Sequence, residues 1–287
     1  MRLSIITINY NNAEGLCKTM ESVFAQTYRD FEYIVVDGAS TDGSVDVIRE
    51  YAERPISDNR SPLTFIWSSE PDHGIYEAMN RGVRKANGEY TLMLNSGDYL
   101  VDEQVIERII PELHTEDMIQ GNTIMDFSDY TIRFRGYGKS DISFLDALDG
   151  NFPHQATFIR KKIMEQYGYY DESYKKAADT YFFMTALGLG NATYRYVDID
   201  IANYDVNGIS CMKDPRWRQI DKEEDARWYG EHISSRLMEL CNEARKNERL
   251  YKRLHQYKWI WGITKILARV SEWISPLPPK VKKERVK

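Results

Sequence analysis

Polar and acidic side chains follow four successive apolar runs in the first hundred residues. In chain order, the residues after these runs are Asn9 and Tyr10, Asp37, Glu70 and Asp72, and Asn95 and Asp98. Open α/β sheets bind ligands at the carboxyl ends of their strands, so this pattern predicts one polar, largely acidic ligand site. A single acid in such a position is more often a turn residue or a helix cap, and the prediction therefore depends on the whole set.

The sequence contains neither of the two standard glycine-rich phosphate loops. No G-x-G-x-x-G follows the first apolar run, and no G-x-x-x-x-G-K-[ST] occurs. Their absence disfavours a dinucleotide-dependent dehydrogenase and a P-loop enzyme. Because carboxylates repel phosphate, a phosphorylated ligand at an acidic site needs a divalent cation between them. Mg²⁺ is typically held by one or two carboxylates together with the phosphates of the substrate.

Asp179 and His154 are two further candidates for chemistry, and each has an ordinary structural alternative. Asp179 precedes a helix-like apolar run, where a carboxylate either caps the helix or takes part in catalysis. His154 follows Pro153, and three interpretations are available for it: a hydrogen-bonded turn residue, a metal ligand, or a residue that contacts the acceptor substrate. Residue type and spacing leave these alternatives open.

Short apolar strands alternate with helical segments in the first hundred residues. Strand-like runs occupy 3–8, 32–36, 64–67 and 90–94, and apolar residues recur at helical spacing within 16–24, 45–51 and 75–83. This alternation predicts βαβ units, an α/β class and a mainly parallel central sheet with flanking helices. The segment 117–210 mixes short strands with a helix, and the highly charged segment 217–256 predicts solvated helices.

The 287-residue chain has ordinary globular composition, with 42% hydrophobic and 29% charged residues. Its 38 Lys and Arg against 44 Asp and Glu give a net charge of -6, which argues against a nucleic-acid partner. Three widely spaced Cys exclude a disulfide framework and favour a reducing compartment. We expect no targeting segment at the start and no membrane-spanning run, and hence a cytoplasmic protein.

The polar positions belong to longer stretches whose order and spacing are more specific than any one residue. They are 4–12 (SIITINYNN), 22–28 (SVFAQTY), 33–43 (YIVVDGASTDG), 69–80 (SEPDHGIYEAMN), 87–90 (NGEY), 94–98 (LNSGD), His154-Gln155 and 177–179 (AAD). In series, over about residues 1–210, these stretches resemble the inverting family 2 glycosyltransferases. The resemblance implies a GT-A fold with a nucleotide half at about 1–100, an acceptor half at about 101–215 and a C-terminal helical extension at 216–287.

The resemblance also implies which positions bind the nucleotide-sugar. Tyr10 and the backbone around Ile8 and Asn9 would contact the base, and Asp37 and Asp72 would hold uridine. Many family members have a second Asp where this chain has Gly38, so a base contact shifts to Asp72.

Matching positions further imply a metal site and a catalytic base. Asn95 and Asp98 fall on the acidic metal-binding motif, with Asn95 among the residues that bind the nucleotide-sugar, Asp98 as a ligand to Mg²⁺ or Mn²⁺ and His154 as a helper. The motif is often D-x-D in the family, whereas Asn95-Ser-Gly-Asp98 retains one carboxylate. Asp179 falls on the position of the general base.

The implied reaction moves a sugar from a UDP-sugar to an acceptor hydroxyl with inversion, in polysaccharide or lipopolysaccharide synthesis. The acceptor would be a glycan or a lipid-linked acceptor, and a protein or lipid acceptor stays open. Two other classes remain open, a non-catalytic nucleotide-sugar-binding protein and a nucleotidyltransferase on a similar α/β fold. Release of UDP indicates sugar transfer, whereas release of pyrophosphate indicates nucleotidyl transfer.

The C-terminal segment 257–287 has a composition unlike the rest. Most of its Trp, Ile, Leu and Val residues between 259 and 274 fall within an arc of roughly 140° on a helix. Eight Lys or Arg and two Glu lie between residues 258 and 287. Two interpretations stay open. One is a helix lying on the inner, anionic face of the cytoplasmic membrane, and the other is a helix packed on the catalytic domain or on the second subunit of a homodimer.

Overall fold

The computed structural model describes residues 2–53, 63–127, 129–206 and 215–255. The chain divides into two compact units, Met1–Trp228 and Tyr229–Lys287. The boundary predicted after residue 215 falls within the first unit, at the start of a helix, and the predicted division into domains stays a prediction. The predicted amphipathic helix and basic tail at 257–287 lie outside the described residues.

The first four strands form a parallel sheet in the spatial order β3-β2-β1-β4. They are β1 (Leu3–Asn9), β2 (Glu32–Asp37), β3 (Thr64–Ser69) and β4 (Tyr90–Met93). Every residue of β1, β2 and β4 is buried, as expected for parallel strands covered on both faces. Their continuous apolar runs are therefore the sequence signal that predicts them.

Three helices connect these strands, α1 (Ala13–Phe24), α2 (Ser44–Glu53) and α3 (Ile75–Lys85). Leu16 and Met20 of α1 join the core cluster that contains Ile5 of β1. On α3, a Cβ at Gly82 would lie 2.3 Å from Cγ2 of Ile6. A glycine here allows α3 to approach β1 closely.

The second half of the sheet is mixed and continues in the order β4-β8-β6-β9-β5, with β7 paired to β6. Its strands are β5 (Tyr99–Leu100), β6 (Met118–Phe127), β7 (Tyr130–Phe134), β8 (Thr157–Arg160) and β9 (Tyr194–Tyr204). Because β8 is antiparallel to both β4 and β6, and β9 is parallel to β6, the strands β4, β6 and β9 run in one direction. Their C-terminal ends thus share an edge with those of β1 to β3, and we call this the carboxyl edge.

Six further helices complete the described chain. They are α4 (Val105–Ile109), α5 (Phe144–Asp149), α6 (Lys161–Tyr167), α7 (Ala178–Phe183), α8 (Pro215–His232) and α9 (Ser235–His255). A π-helical turn, Met184–Leu189, continues α7. No helix among the described residues has both the length and the apolar character that a bilayer span requires. The predicted α/β class is confirmed. The predicted parallel pairing applies to β1 to β4, whereas the second half of the sheet is mixed.

Candidate active site

Asp37, the last residue of β2, is fully buried at the carboxyl edge. Its Oδ1 accepts hydrogen bonds from Nδ2 of Asn9 (2.8 Å) and Oγ of Ser40 (2.6 Å). Its Oδ2 accepts from the Ser40 backbone N–H (2.9 Å) and from Oγ of Ser69 (2.6 Å). Burial alone would raise the pKa of Asp37, but these four hydrogen bonds outweigh it and lower the pKa. Asp37 is therefore an ionised carboxylate that ties together the ends of β1, β2 and β3.

The backbone at the end of β1 is also engaged within the protein. The Ile8 carbonyl accepts from the Ser96 N–H (3.1 Å), and the Asn9 carbonyl accepts from the Gly38 N–H (2.9 Å). These bonds place the loops after β2 and β4 against β1. The predicted contacts of Ile8, Asn9 and Asp37 with a nucleotide stay predictions, and in this structure the three residues organise the edge.

Tyr10 and Asp72 both lie close to Gly38. The Tyr10 side chain is 67% exposed, which is unusual for a large aromatic residue. A Cβ at Gly38 would lie 2.7 Å from Oδ2 of Asp72 and 3.1 Å from Cδ2 of Tyr10. The absence of a side chain at Gly38 thus allows an exposed aromatic ring and a carboxylate to lie close to the same backbone position. This combination suits a nucleoside, because a ring can stack its face while a carboxylate accepts hydrogen bonds from the base or ribose.

The loop after β4 holds Asn95 and Asp98 in one turn, closed by the Asp98 N–H donating to the Asn95 carbonyl (3.0 Å). Asp98 is 4% exposed, and its Oδ1 accepts from the Asp205 N–H (2.8 Å) at the end of β9. Burial raises the pKa of Asp98 to about 6, and the nearby Asp205 charge adds to this, while His154 and the Asp205 N–H oppose it. A buried carboxylate of this kind is poised to exchange its proton for a cation.

Two oxygen atoms of this loop suit a hard divalent cation. Oδ1 of Asn95 is buried and has no hydrogen-bond partner within the described part of the chain, and Asp98 supplies a carboxylate. Oxygen donors of this type suit Mg²⁺ and Mn²⁺, which take their remaining ligands from phosphate and water. Among the residues that the structure describes, no group of three or more His, Cys, Asp or Glu is placed to hold a metal by itself. A cation here would therefore depend on the ligand's phosphates.

Asp179 is the second residue of α7, and Ala177 occupies the N-cap position. The Asp179 carboxylate instead receives hydrogen bonds from the Tyr76 hydroxyl at Oδ1 (3.0 Å) and from Nδ1 of His154 at Oδ2 (3.0 Å). Its side chain is 16% exposed and that of His154 is 14% exposed. Asp179 is thus not the N-cap residue of α7, although the Thr180 N–H in the first turn also contributes a hydrogen bond, and the carboxylate is presented at the carboxyl edge.

Asp179 and His154 favour each other's charged forms. Burial opposes ionisation of Asp179, but the hydrogen bond and charge of His154, with the Tyr76 hydroxyl, lower its pKa overall. Burial likewise lowers the pKa of His154, while the adjoining Asp179 carboxylate and the charge of Asp98 outweigh burial and raise it. Tyr76 stays protonated, because burial and the nearby Asp179 charge raise its pKa. Asp179 is therefore an ionised acceptor held by two side-chain donors, His154 and Tyr76, and by the Thr180 backbone N–H.

His154 connects the two halves of the site. Its Nε2 lies 3.2 Å from Nδ2 of Asn95, and its Nδ1 faces Asp179. Because Nδ1 faces Asp179, Nε2 can accept from Nδ2 of Asn95 only while the His154 ring is neutral, and in that form a metal ligand role for His154 requires the Asn95 contact to break. That role stays a prediction, and the observed contacts favour positioning of Asp179. We call the four residues Asn95, His154, Asp179 and Tyr76 the base network.

Sequence patterns did not assign a role to Tyr76 or Asp205. Tyr76 lies inside the conspicuous stretch 69–80, but its contact with Asp179 spans 103 residues of chain. The Asp205 backbone N–H donates to Asp98, and the Asp205 carboxylate adds a nearby charge. Asp205 follows β9, and none of the conspicuous sequence stretches includes it. For Tyr76, the only sequence signal was its place in the stretch 69–80. For Asp205, the sequence offered no such signal.

The comparison with protein families decides the class. The sequence model described as glycosyl transferase family 2 matches residues 4–170. The chain belongs to glycosyl transferase family 2. The match covers β1 to β4, the loop of Asn95 and Asp98, and His154, and it ends before Asp179.

Curated glycosyltransferases are similar over most of the chain. A PGL/p-HBAD biosynthesis glycosyltransferase of Mycobacterium bovis (strain BCG / Pasteur 1173P2) is 32% identical over 208 residues, covering 71% of this chain and 77% of the relative. An uncharacterized glycosyltransferase of Mycobacterium tuberculosis (strain CDC 1551 / Oshkosh) is 30% identical over 229 residues, covering 74% of this chain and 78% of the relative. This glycosyltransferase is therefore an enzyme of the sugar-transferring class.

Solved structures support the GT-A fold. TarS of S. aureus (residues 1–349, in complex with UDP-GlcNAc) superposes with a TM-score of 0.59 at 19% identity, covering 71% of this chain and 58% of that TarS fragment. The mannosyltransferase PcManGT from Pyrobaculum calidifontis, in complex with GDP-Man and Mn2+, gives a TM-score of 0.58 at 18% identity, covering 81% of this chain and 64% of the PcManGT chain. At these identities the likeness shows the fold alone, and the predicted GT-A fold is confirmed.

Proposed function

We propose that this glycosyltransferase moves a sugar from a UDP-sugar to an acceptor hydroxyl with inversion of the anomeric centre. One observation carries the proposal: an ionised carboxylate, Asp179, is held by Tyr76 and His154 and is linked through His154 to the loop of Asn95 and Asp98. A base for the acceptor and oxygen ligands for a cation that binds the diphosphate thus occupy one connected site. Related folds that bind UDP, UDP-GlcNAc and GDP-Man support a nucleotide-sugar donor.

In this proposal the nucleoside binds beside Gly38, on the exposed face of Tyr10. Tyr10 stacks on the base, and Asp72 accepts hydrogen bonds from the base or the ribose. The diphosphate then extends toward the loop of Asn95 and Asp98. Asp98 and Oδ1 of Asn95 would hold Mg²⁺ or Mn²⁺, which when bound offsets the charge of the leaving diphosphate.

Asp179 serves as the general base of the transfer. Its carboxylate takes the proton of the acceptor hydroxyl as that oxygen forms a bond to the anomeric carbon. The bond from that carbon to the diphosphate breaks on the opposite side, so an α-linked donor gives a β-linked product. Tyr76 and His154 keep the carboxylate oriented, and the lowered pKa of Asp179 keeps it ionised at neutral pH. General-base assistance of this kind is worth ~10²–10⁴-fold in rate.

A panel of nucleotide sugars with Mg²⁺ or Mn²⁺ tests the proposed reaction. Binding of the correct donor raises the melting temperature by mass action, and turnover with an acceptor releases UDP. Release of pyrophosphate would indicate a nucleotidyltransferase instead. Donor binding without release of either product would indicate a non-catalytic binding protein.

Replacing Tyr10 with alanine is expected to raise the KM for the donor about tenfold with little change in kcat. Stacking of the nucleobase on an aromatic ring contributes about 1–3 kcal/mol of binding free energy. Tyr10 is not one of the four residues of the base network around Asp179, so the chemical step should be little affected. Steady-state kinetics with varied donor concentration measure the effect. The matched control is Tyr130→Ala, which removes another exposed tyrosine on β7. Equal effects of the two variants on KM would contradict stacking at Tyr10.

The acceptor is proposed to be a glycan or lipid-linked sugar of cell-surface polysaccharide or lipopolysaccharide synthesis. The amphipathic, basic pattern of 257–287 supports an encounter at an anionic membrane face. Removing 257–287 is expected to abolish co-sedimentation with anionic vesicles, and salt is expected to weaken binding of the full chain. Unchanged vesicle binding after truncation, with loss of a dimer or of stability, would favour a packed helix.

A further inference from the structure

The chain segment that leads into α7 is held by a carboxylate from another helix. Ala177, at the N-cap position of α7, offers no side-chain oxygen to the free N–H groups there. Oε1 of Glu224 accepts from the Lys175 N–H (2.5 Å), and Oε2 accepts from the N–H groups of Lys176 (3.3 Å) and Ala177 (3.2 Å). Glu224 lies on α8 and is only 8% exposed. One buried carboxylate therefore binds three successive backbone donors.

We propose that Glu224 is a positioning residue that sets the orientation of the Asp179 carboxylate. The inference rests on the proposed role of Asp179 as general base. Glu224 contacts the backbone at residues 175–177, and Asp179 follows two residues later in the first turn of α7. The residue lies beyond the region matched by the family's sequence model, which ends at residue 170.

The contacts around Glu224 show why the carboxylate can fix this segment. The Trp228 ring, also on α8, stacks on Tyr181 of α7 with centroids 5.8 Å apart and an interplanar angle of 10°. The Tyr181 hydroxyl donates to Oδ1 of Asp225 (2.9 Å). The helix that carries Glu224 is thus packed on the helix that carries Asp179. Hydrogen bonds to a charged acceptor are stronger than neutral ones, so the carboxylate holds the backbone more firmly than an amide would.

Misplacement of a catalytic group by about 1 Å can cost on the order of 10²-fold in rate. Glu224→Gln keeps the shape of the side chain but replaces one acceptor oxygen with an NH₂ group that opposes the backbone donors. We expect kcat to fall about tenfold, with the donor KM within about twofold of wild type. The matched control is Asp221→Asn, one turn earlier on α8. It removes the Asp221–Lys176 ion pair (2.7 Å) but no backbone contact, and we expect it to change kcat by less than about twofold.

A double variant separates positioning from general loss of structure. If Glu224 acts through Asp179, adding Glu224→Gln to Asp179→Asn lowers kcat no further, because the two residues serve one step. Additive losses, or a kcat for Glu224→Gln that matches the control, would overturn the proposal. Melting temperatures of all variants report whether the folded fraction explains any change.

Hydrogen exchange gives a readout that does not depend on the reaction. We expect the amides of residues 175–177 to exchange faster in Glu224→Gln than in Asp221→Asn or wild type. Unchanged exchange in Glu224→Gln would overturn the proposed contact even if activity fell. A wild-type enzyme that turns over no nucleotide sugar would instead refute the proposed function, and the exchange result would still decide whether Glu224 holds the segment.

Discussion

Asp179→Asn is expected to lower kcat by at least ~10²-fold while donor affinity and fold stay close to wild type. An asparagine fits the same space and still accepts a hydrogen bond from Nδ1 of His154, but it cannot take a proton from the acceptor. Because Ala177 rather than Asp179 is the N-cap of α7, the change does not remove a helix cap. The expected loss is therefore one of chemistry.

Release of UDP under saturating donor and acceptor measures kcat, and calorimetric titration with the donor measures binding. Asp225→Asn is a matched control, since it removes the carboxylate that bonds Tyr181 on the same helix but leaves the base network intact. If residual activity of Asp179→Asn followed its folded fraction at each temperature, the carboxylate would have a structural role only. A control variant as inactive as Asp179→Asn would point to the same conclusion.

The pH dependence follows from the directions of the two pKa shifts. Asp179 has a lowered pKa, so it stabilises the fold at pH values above its unfolded pKa, and this contribution disappears as pH falls through the folded value. His154 has a raised pKa, so its contribution is complete below its unfolded pKa of about 6.5 and disappears as pH rises through the higher folded value. The ion pair is therefore most effective in the mildly acidic range between these limits.

The positions of the site residues along the first half of the sheet could be predicted from sequence. Parallel strands buried on both faces give continuous apolar runs, and a βαβ order brings every strand end to one edge. Tyr10, Asp72 and Asp98 lie at that edge for this reason. Asp37 lies there too, but its residue type could not show that four protein donors already satisfy its carboxylate.

The contacts within the site could not be predicted in this way, because they join distant segments. Tyr76 lies 103 residues from Asp179 in sequence, and Asp98 lies 107 residues from Asp205. Each contact depends on how the second half of the sheet is ordered, and β9 pairs parallel with β6 although the intervening β8 is antiparallel to β6. Local periodicity carries no information about that order. Sequence spacing could not decide whether Asp179 caps a helix or acts in catalysis, because the residues that contact its carboxylate are distant in sequence.

Asp98→Asn is expected to abolish cation-dependent turnover, with a loss in kcat of roughly 10²-fold or more. Electrostatic groups that offset the charge of a leaving group commonly contribute at this level. The asparagine keeps an oxygen for the Asp205 N–H but carries no charge for a divalent cation. Turnover measured with Mn²⁺, with Mg²⁺ and after treatment with EDTA tests the assignment. Wild-type turnover that is insensitive to EDTA, together with an active Asp98→Asn variant, would contradict it.

The raised pKa of Asp98 gives this prediction a second, independent measurement. A folded pKa of about 6, above the usual value near 3.9, means that the folded protein binds more protons than the unfolded chain between these pH values. The free energy of unfolding without cation should therefore fall as pH rises from about 4 to 6, by at most about 3 kcal/mol. Asp98→Asn should remove this slope. In the presence of UDP, a cation that binds the ionised carboxylate and the diphosphate should raise the melting temperature more at pH 7.5 than at pH 5, because at pH 5 it competes with the proton. An equal cation effect at both pH values, or one that persists in Asp98→Asn, would place the cation elsewhere.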